Sequence, residues 1–432
     1  MIDEQHPKYT ERLSQWSRCR SVADGEDAVK AAGELYLPKL GSQSDKSYKG
    51  YKQRASLFNA VKRTADGLVG AVMRVDPVVE GVDDEWLNDI TGTGVSLKSF
   101  ISYMLTEQLL TGRQGVLVDY GDRPYLTGYA TEQITNWFDD RVILKETHRV
   151  ADAVDIYKSS YQTRYRELVL EEGSYIVRVW ELEGDKWAIK EEISPTVRGD
   201  RFKEIKFVGI SVDGLNLSPE TPPLLALADM NLSHYRTSAD LEHGRHFTAL
   251  PTPYIIGVEA DTEIPLGAET AWSIPNEKAT VGFLEFSGSG LSSLETAMSE
   301  KRSMMASLGA QLIEGQKSGV EAGDTLRLRQ SSEMSVLMSV VKTVESGINK
   351  AVMLMSEWNG GGEISIKLNT DFADTKIAPA DMQALMQAWQ SGGISHDTFL
   401  YNMKRGEIVP EGVSVEDERS LIELQATGGD PL

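Results

Sequence analysis

The chain has 432 residues, of which 41% are hydrophobic and 25% are charged, as expected for a folded protein with a sizeable core. Its 44 basic and 65 acidic residues give a formal net charge of −21, which excludes a general basic surface for tight, sequence-independent binding of nucleic acid. The single cysteine, Cys19, excludes an intrachain disulfide, and no apolar run reaches the roughly 18–20 residues needed to cross a bilayer.

The first half of the chain predicts helices followed by an antiparallel sheet. Met1–Pro7 lacks the basic and apolar regions of a secretion signal, so we expect synthesis in a reducing cytoplasm. Residues 7–34 are predicted to form a polar, weakly amphipathic helix, and a polar connector follows at 41–49. Apolar residues on one helical stripe predict helices over 51–74 and 97–110. Alternating or short apolar runs predict strands at 115–119, 142–147, 165–170, 175–181, 186–193 and 207–210. Residues 1–220 are therefore predicted to form an α+β module.

Residues 222–358 predict two helices separated by a β-rich insert, then a loop and a longer helix. Pro222-Pro223 opens a helix to about 247, and strand-like runs follow at 254–258 and 281–286. Ser292 and Glu295 have the spacing of a capping box, and the apolar stripe of the second helix is interrupted at Lys301.

The loop Gly315–Gly323 precedes a rod that Asp324 can cap and that runs to Trp358, about 50 Å long at 1.5 Å per residue. Gly360–Gly362 ends the rod, and residues 364–368 alternate as a strand. Pro379 then opens a group of short helices, predicted at 381–390, 395–404 and 414–424.

The motifs of enzymes and cofactor sites are largely absent. The sequence has no phosphate-binding P-loop and no G-x-S-x-G nucleophile elbow, and Ser287–Gly290 is interpreted as a turn before a helix. His243 and His246, with His234 upstream, could approach one helix face, but they lack a suitably placed carboxylate or cysteine for zinc. No cofactor or metal is predicted. A hydrolase using Ser289 or the His243/His246 pair remains an alternative.

Several segments, taken in order, resemble the portal proteins of tailed bacteriophages, a family long catalogued as an uncharacterised phage domain. Tyr36-Leu-Pro-Lys-Leu40 and Gly112-Arg-Gln-Gly-Val-Leu-Val-Asp119 are similar to its opening part. Pro222–Arg236 and Pro251-Thr-Pro253 are similar to its most distinctive block, and Gly392–Thr398 to its C-terminal part. The similarity extends from about residue 30 to residue 422.

The resemblance implies an α+β portal fold with named parts. It implies a wing (1–221), a first stem helix (222–247), a clip (248–290), a second stem helix (291–313), a tunnel loop (314–324), a long helix with a return strand (325–378), and a crown with a C-terminal tail (379–432).

The resemblance also implies a function without catalysis. Portal proteins form a homo-oligomeric ring, typically dodecameric, at one capsid vertex of the virion, where double-stranded DNA enters and leaves. The implied partners are the terminase large subunit, a head–tail adaptor, and the major capsid and scaffolding proteins. The implied DNA-facing tunnel-loop residues are Gly315, Gln316, Lys317, Ser318 and Gly319. Another head–tail adaptor protein is the alternative within the virion.

Overall fold

The computed structural model describes residues 1–151, 155, 157–248, 252–257, 278–284, 289–310, 323–370, 372, 379–405, 408 and 415–426. The chain divides into two compact units, Met1–Thr370 and Asp371–Leu432. Helices and sheets occur together in the first unit, so the α+β class is confirmed.

The helices of the first unit lie mainly at its two ends in sequence. They are α1 (Pro7–Asp24), α2 (Glu26–Ala31), α3 (Asp45–Arg54), α4 (Ala60–Met73), α5 (Asp84–Asn88), α6 (Leu97–Thr111), α7 (Leu225–Thr248), α8 (Ser289–Met305) and α9 (Gly323–Ser356). Helix α6 ends at Gly112, whose φ of +70° is the left-handed conformation that glycine adopts readily at a helix terminus.

The strands between α6 and α7 form two antiparallel sheets. They are β2 (Arg113–Tyr120), β3 (Pro124–Ala130), β4 (Ile134–Phe138), β5 (Arg141–Ala151), β6 (Ser159–Glu171), β7 (Ser174–Glu183), β8 (Lys186–Ile193), β9 (Thr196–Val197), β10 (Asp200–Arg201) and β11 (Phe207–Ser211). One sheet has the order β11-β2-β3, the other β4-β5-β6-β7-β8, and β9 pairs with β10. The six strands predicted in this region form and pair antiparallel, but in two larger sheets and not in one, and β3, β4, β9 and β10 are strands that the sequence did not indicate.

The return strand also forms. β14 (Ser365–Lys367) pairs antiparallel with β1 (Val78–Glu80), with Val79 opposite Ile366. This pairing brings the chain after α9 back to a segment almost 300 residues earlier. The predicted strand at 364–368 is thereby confirmed, with its ends one residue shorter.

Helix α9 packs on the three-stranded sheet and on α6. Its inward face is fully buried at Val340, Val344 and Ile348. A Cβ atom at Gly347 would lie 2.2 Å from Cδ1 of Ile210 on β11, so the helix approaches the sheet more closely than a larger side chain would allow. The second half of the rod is thus fixed to the body of the first unit.

Three predictions near the N-terminus are wrong. The predicted helix 7–34 is interrupted at Gly25, whose φ of +105° ends α1 before α2 begins. Residues 41–49 are not a connector throughout, because Ser44 accepts a hydrogen bond from the Ser47 amide and α3 begins at Asp45. The predicted helix 51–74 is broken at residues 55–59. The break is stabilised by α7: Asn231 accepts from the Ala60 amide at 2.9 Å and donates to the Phe58 carbonyl at 2.9 Å.

The second unit contains three helices among its described residues. They are α10 (Pro379–Gln390), α11 (His396–Arg405) and α12 (Val415–Ala426), in agreement with the predicted positions. Trp389 stacks on Phe399 with ring centroids 4.8 Å apart, which packs α10 against α11. Among the helices of the described residues in either unit, none combines the length and apolarity needed to cross a lipid bilayer.

Candidate functional site

Helices α7 and α8 form an antiparallel hairpin. Near the end of α8, the Lys301 Nζ donates to the Ser233 carbonyl oxygen at 3.2 Å. Near its start, the Glu295 carboxylate pairs with Arg245 at 2.7 Å. Because lower numbers on α8 meet higher numbers on α7, the two helices run in opposite directions.

The base of this hairpin is buried and its far end is exposed. On α7, Ala228, Tyr235 and Ala239 are fully buried, and the helix packs there against α1, α3 and α4. Between Glu242 and His246 the side chains are partly or fully exposed, as at Arg245. The described part of the far end therefore projects from the body of the first unit.

A strand pair lies in the insert between the two helices. β12 (Thr252–Ile256) pairs antiparallel with β13 (Thr280–Leu284), with Tyr254 opposite Gly282. The Tyr254 ring covers Gly282, where an added Cβ would lie 2.7 Å from the tyrosine oxygen. Strands form at both predicted positions, and they begin two residues and one residue earlier than predicted; residues 258, 285 and 286 of the predicted strands lie outside the described residues.

The interruption of the apolar stripe at Lys301 is a hydrogen-bonding position. Besides the Ser233 carbonyl, the Lys301 Nζ donates to Thr237 Oγ1 at 2.5 Å. Both acceptors lie on α7, so the ammonium group joins the two helices where the sequence indicated a defect. Only one of the two acceptors is a side chain, so Thr237 is the signal in the sequence; the Ser233 carbonyl is a backbone group that any residue at that position would supply.

His234 lies one residue from this contact and is held neutral. It is 1% exposed, and its Nε2 accepts a hydrogen bond from Arg302 Nε at 3.4 Å. Burial, with the positive charges of Arg302 and Lys301, lowers the pKa of His234 to about 4. The neutral ring is the form that fits, because a protonated Nε2 would direct a second donor at the guanidinium.

The second helix differs from its predicted bounds. α8 begins at Ser289, so Ser292 lies inside the first turn and the predicted capping box is wrong. The α-helix ends at Met305, and a π-helical turn, Ala306–Ala310, follows it. Gly309 in that turn has a φ of +148°, a backbone conformation that favours glycine and interrupts the helical geometry; residues 311–313 of the predicted helix lie outside the described residues.

The predicted DNA-facing residues Gly315, Gln316, Lys317, Ser318 and Gly319 lie outside the described residues. The description resumes at Gly323, where α9 begins two residues earlier than predicted.

The other candidate residues from the sequence are the histidines and Cys19. Within the described ranges, no group of three His, Cys, Asp or Glu side chains could hold a metal ion, and this search includes His234, His243 and His246. The His243 ring packs edge-on against Tyr51, with centroids 5.2 Å apart. Cys19 is buried, and burial raises the pKa of its thiol to about 12, so it stays a thiol at neutral pH.

One family model matches part of the chain. Residues 223–359 match a family model described as "Domain of unknown function (DUF4055)", a range that contains the hairpin and α9. No curated protein matches the sequence.

Several solved structures are similar in fold. A chain from the neck of an empty GTA particle is 14% identical with a TM-score of 0.43, covering 86% of this chain and 90% of that chain. A chain from the virion of a native gene transfer agent (GTA) particle is 12% identical with a TM-score of 0.43, covering 86% and 96%. An HK97 family phage portal protein from Corynebacterium diphtheriae is 11% identical with a TM-score of 0.32, covering 72% and 92%. At these values the likeness does not bear on function.

Proposed function

We propose that the protein is a bacteriophage portal protein, which forms a ring at one vertex of the capsid. The observation that carries this proposal is the antiparallel hairpin of α7 and α8 with the strand pair β12–β13 in its insert, followed by the anchored helix α9. This is the order of stem, clip and long helix that the resemblance of the sequence implies. An adaptor ring does not require that order.

The hairpin is built as a strut. Its base is buried in the first unit, while Lys301 and the Arg245–Glu295 pair join its helices along their length. Such a strut can line a wall of a channel if several copies stand side by side. We therefore assign α7 and α8 to the stem and β12–β13 to the clip.

The charge of the chain suits a channel through which DNA slides. Twelve copies at −21 each would carry 12 × (−21) = −252 charges. A surface of one sign repels a polyanion of the same sign, and this repulsion reduces adhesion to the wall. Double-stranded DNA could then move inward during packaging and outward during ejection.

We further propose that the tunnel loop around Lys317 contacts the DNA inside that acidic channel. One lysine per subunit would form a ring of weak phosphate contacts. Lys317→Ala should leave ring assembly intact and change the rate of packaging, and Lys278→Ala in the insert serves as the matched control. Equal packaging rates in the wild type, Lys317→Ala and Lys278→Ala would show that Lys317 does not have this role.

The proposed partners follow from the position of the ring. The terminase large subunit would dock on it during packaging, and a head–tail adaptor afterwards. Major capsid and scaffolding proteins would surround it during assembly. The proposed location is therefore the virion, at the capsid vertex, after synthesis in the host cytoplasm.

Negative-stain electron microscopy of the purified protein tests the proposal. We expect ring-shaped particles with a central hole, and a homogeneous monomer under assembly conditions would contradict it. Ser289→Ala and His243→Ala separate the proposal from a hydrolase. Both variants should support packaging, whereas its loss in both with rings intact would favour catalysis.

A further inference from the structure

A basic cleft lies in the first unit, away from the hairpin. It has a volume of about 500 Å³ and separates the segment 197–206 from the segment 357–361, which follows α9. In a chain with 21 more acidic than basic residues, four of the side chains that line it are cationic: Arg198, Arg201, Lys203 and Lys206.

The charge at the floor of this cleft is already neutralised. The Lys206 side chain has 0% exposure, and its Nζ pairs with Glu204 at 3.3 Å and with Glu357. The same ammonium lies 4.2 Å from the centroid of the Phe202 ring. Lys206 therefore joins the segment 197–206 to the segment 357–361 and is not available to a ligand.

The three cations at the rim are different. Arg198, Arg201 and Lys203 are exposed, and none of them forms an ion pair within 4 Å in the described part of the chain. Asp200, which precedes Arg201, is not among the residues that line the cleft. Three positive charges thus face one opening without a carboxylate partner.

A hairpin turn places Arg198 over the cleft. Arg198 and Gly199 are the two residues between β9 and β10, and both have a positive φ, +52° and +92°, as a two-residue hairpin loop requires. The Arg198 Nη2 lies 2.6 Å from the position that a Cβ atom on Gly360 would take, so the glycine leaves room for the guanidinium group.

We propose that this cleft binds a carboxylate-bearing segment of a second copy of the chain. A guanidinium group presents paired donors that match a carboxylate, and two such groups lie at this rim. The chain itself supplies the complementary partner, because it has 65 acidic residues against 44 basic ones. The proposal rests on the ring proposed above, since a closed ring joins two different surfaces of neighbouring copies.

A carboxylate segment fits better than nucleic acid. A duplex presents a long row of phosphates to a chain whose formal net charge is −21, so the chain as a whole would repel it. A short segment meets only the rim, and at about 0.15 M salt charges more than about 8 Å away are largely screened. The local positive charge then determines the contact.

The test is self-association of a charge-reversed protein, measured by mass photometry. The triple variant Arg198→Glu, Arg201→Glu, Lys203→Glu should raise the dissociation constant for assembly at least about tenfold. Raising the salt from about 0.05 to about 0.5 M should weaken assembly of the wild-type protein but not of the variant. Circular dichroism and thermal unfolding show whether the variant is folded.

A matched control makes the same change in net charge elsewhere. The control variant carries Lys46→Glu, Lys49→Glu and Arg149→Glu. In the wild type these three side chains are exposed and form no ion pair among the described residues. We expect this variant to assemble like the wild type. Equal loss of assembly in both triple variants would overturn the proposal, because net charge alone would explain it.

A second measurement does not depend on the fold of any variant. Carbodiimide cross-linking of assembled wild-type protein, mixed from ¹⁴N- and ¹⁵N-labelled copies, should join Lys203 to an Asp or Glu of another copy. The absence of such a cross-link in rings, with the triple variant assembling normally, overturns the proposal and leaves the portal function standing. A wild-type protein that forms no ring contradicts the portal function itself. Loss of duplex binding without loss of assembly in the triple variant would identify a nucleic-acid site and overturn the carboxylate proposal.

Discussion

Acid should destabilise the hairpin base through one histidine. His234 is buried between α7 and α8, and its Nε2 accepts a hydrogen bond from Arg302. Protonation removes that acceptor and places a third positive charge beside Arg302 and Lys301. The substitution His234→Gln keeps an acceptor at a similar position and cannot be protonated in this range.

The size and sign of the effect follow from the pKa. The pKa of His234 is lowered from 6.5 to about 4 in the folded protein, so between these values the unfolded chain binds more protons. The free energy of unfolding therefore falls as the pH falls from 6.5 to about 4. At about 1.4 kcal/mol per pH unit the total loss is about 3 kcal/mol, and it levels off at lower pH.

The assay is denaturant unfolding at a series of pH values from about 7.5 to 4.5, with wild type and variant compared at each. Other acid-sensitive groups contribute to both proteins and cancel in the difference. We expect the free energy of unfolding of the wild type, relative to that of His234→Gln, to fall by about 2 to 3 kcal/mol as the pH falls from 6.5 to 4.5.

His246→Gln, at an exposed position on the same helix, is the control and should retain the acid loss of the wild type. Parallel curves for the wild type and His234→Gln would refute the reasoning. A titration of His234 near pH 6.5 by NMR would also refute it.

Three further outcomes are expected. Lys301→Met should lower the free energy of unfolding by about 1–2 kcal/mol, because a charged donor is lost while the Thr237 hydroxyl keeps its hydrogen bond to the Ser233 carbonyl. An unchanged unfolding midpoint would show that the ammonium group is solvated instead. Gly115→Ala should cost about 1–3 kcal/mol by the same measurement, because its Cβ would lie 2.1 Å from the Phe207 ring, and a neutral result would mean that the ring can move freely. Cys19 should resist a maleimide reagent in the native state and react after unfolding, and rapid native labelling would contradict its burial.

The positions and types of most elements follow from local patterns in the sequence. The stripe of α9 places Val341, Val344 and Ile348 on one face, and these are the residues that are buried. Gly112 ends α6 as predicted. Such signals can be detected because helix periodicity and glycine conformation depend on residues close together in the chain.

The errors arise where a distant residue determines the local structure. The break at 55–59 depends on Asn231, which replaces helical hydrogen bonds with side-chain bonds from α7. No pattern within residues 51–74 contains that information. Lys301 likewise interrupts an apolar stripe in the sequence, and its hydrogen-bond partners at Ser233 and Thr237 lie 68 and 64 residues away.

The sequence by itself therefore determined the order of elements: helix, β-rich insert, helix and long rod, together with the strongly acidic charge. Only the tertiary structure decided which faces meet: the Lys301 contact across the hairpin, and the cleft where Lys206 meets Glu357, 151 residues away in sequence. The reason is physical. Hydrophobic periodicity acts within a few turns of the chain, whereas hydrogen bonds and ion pairs form wherever folding brings a donor and an acceptor together.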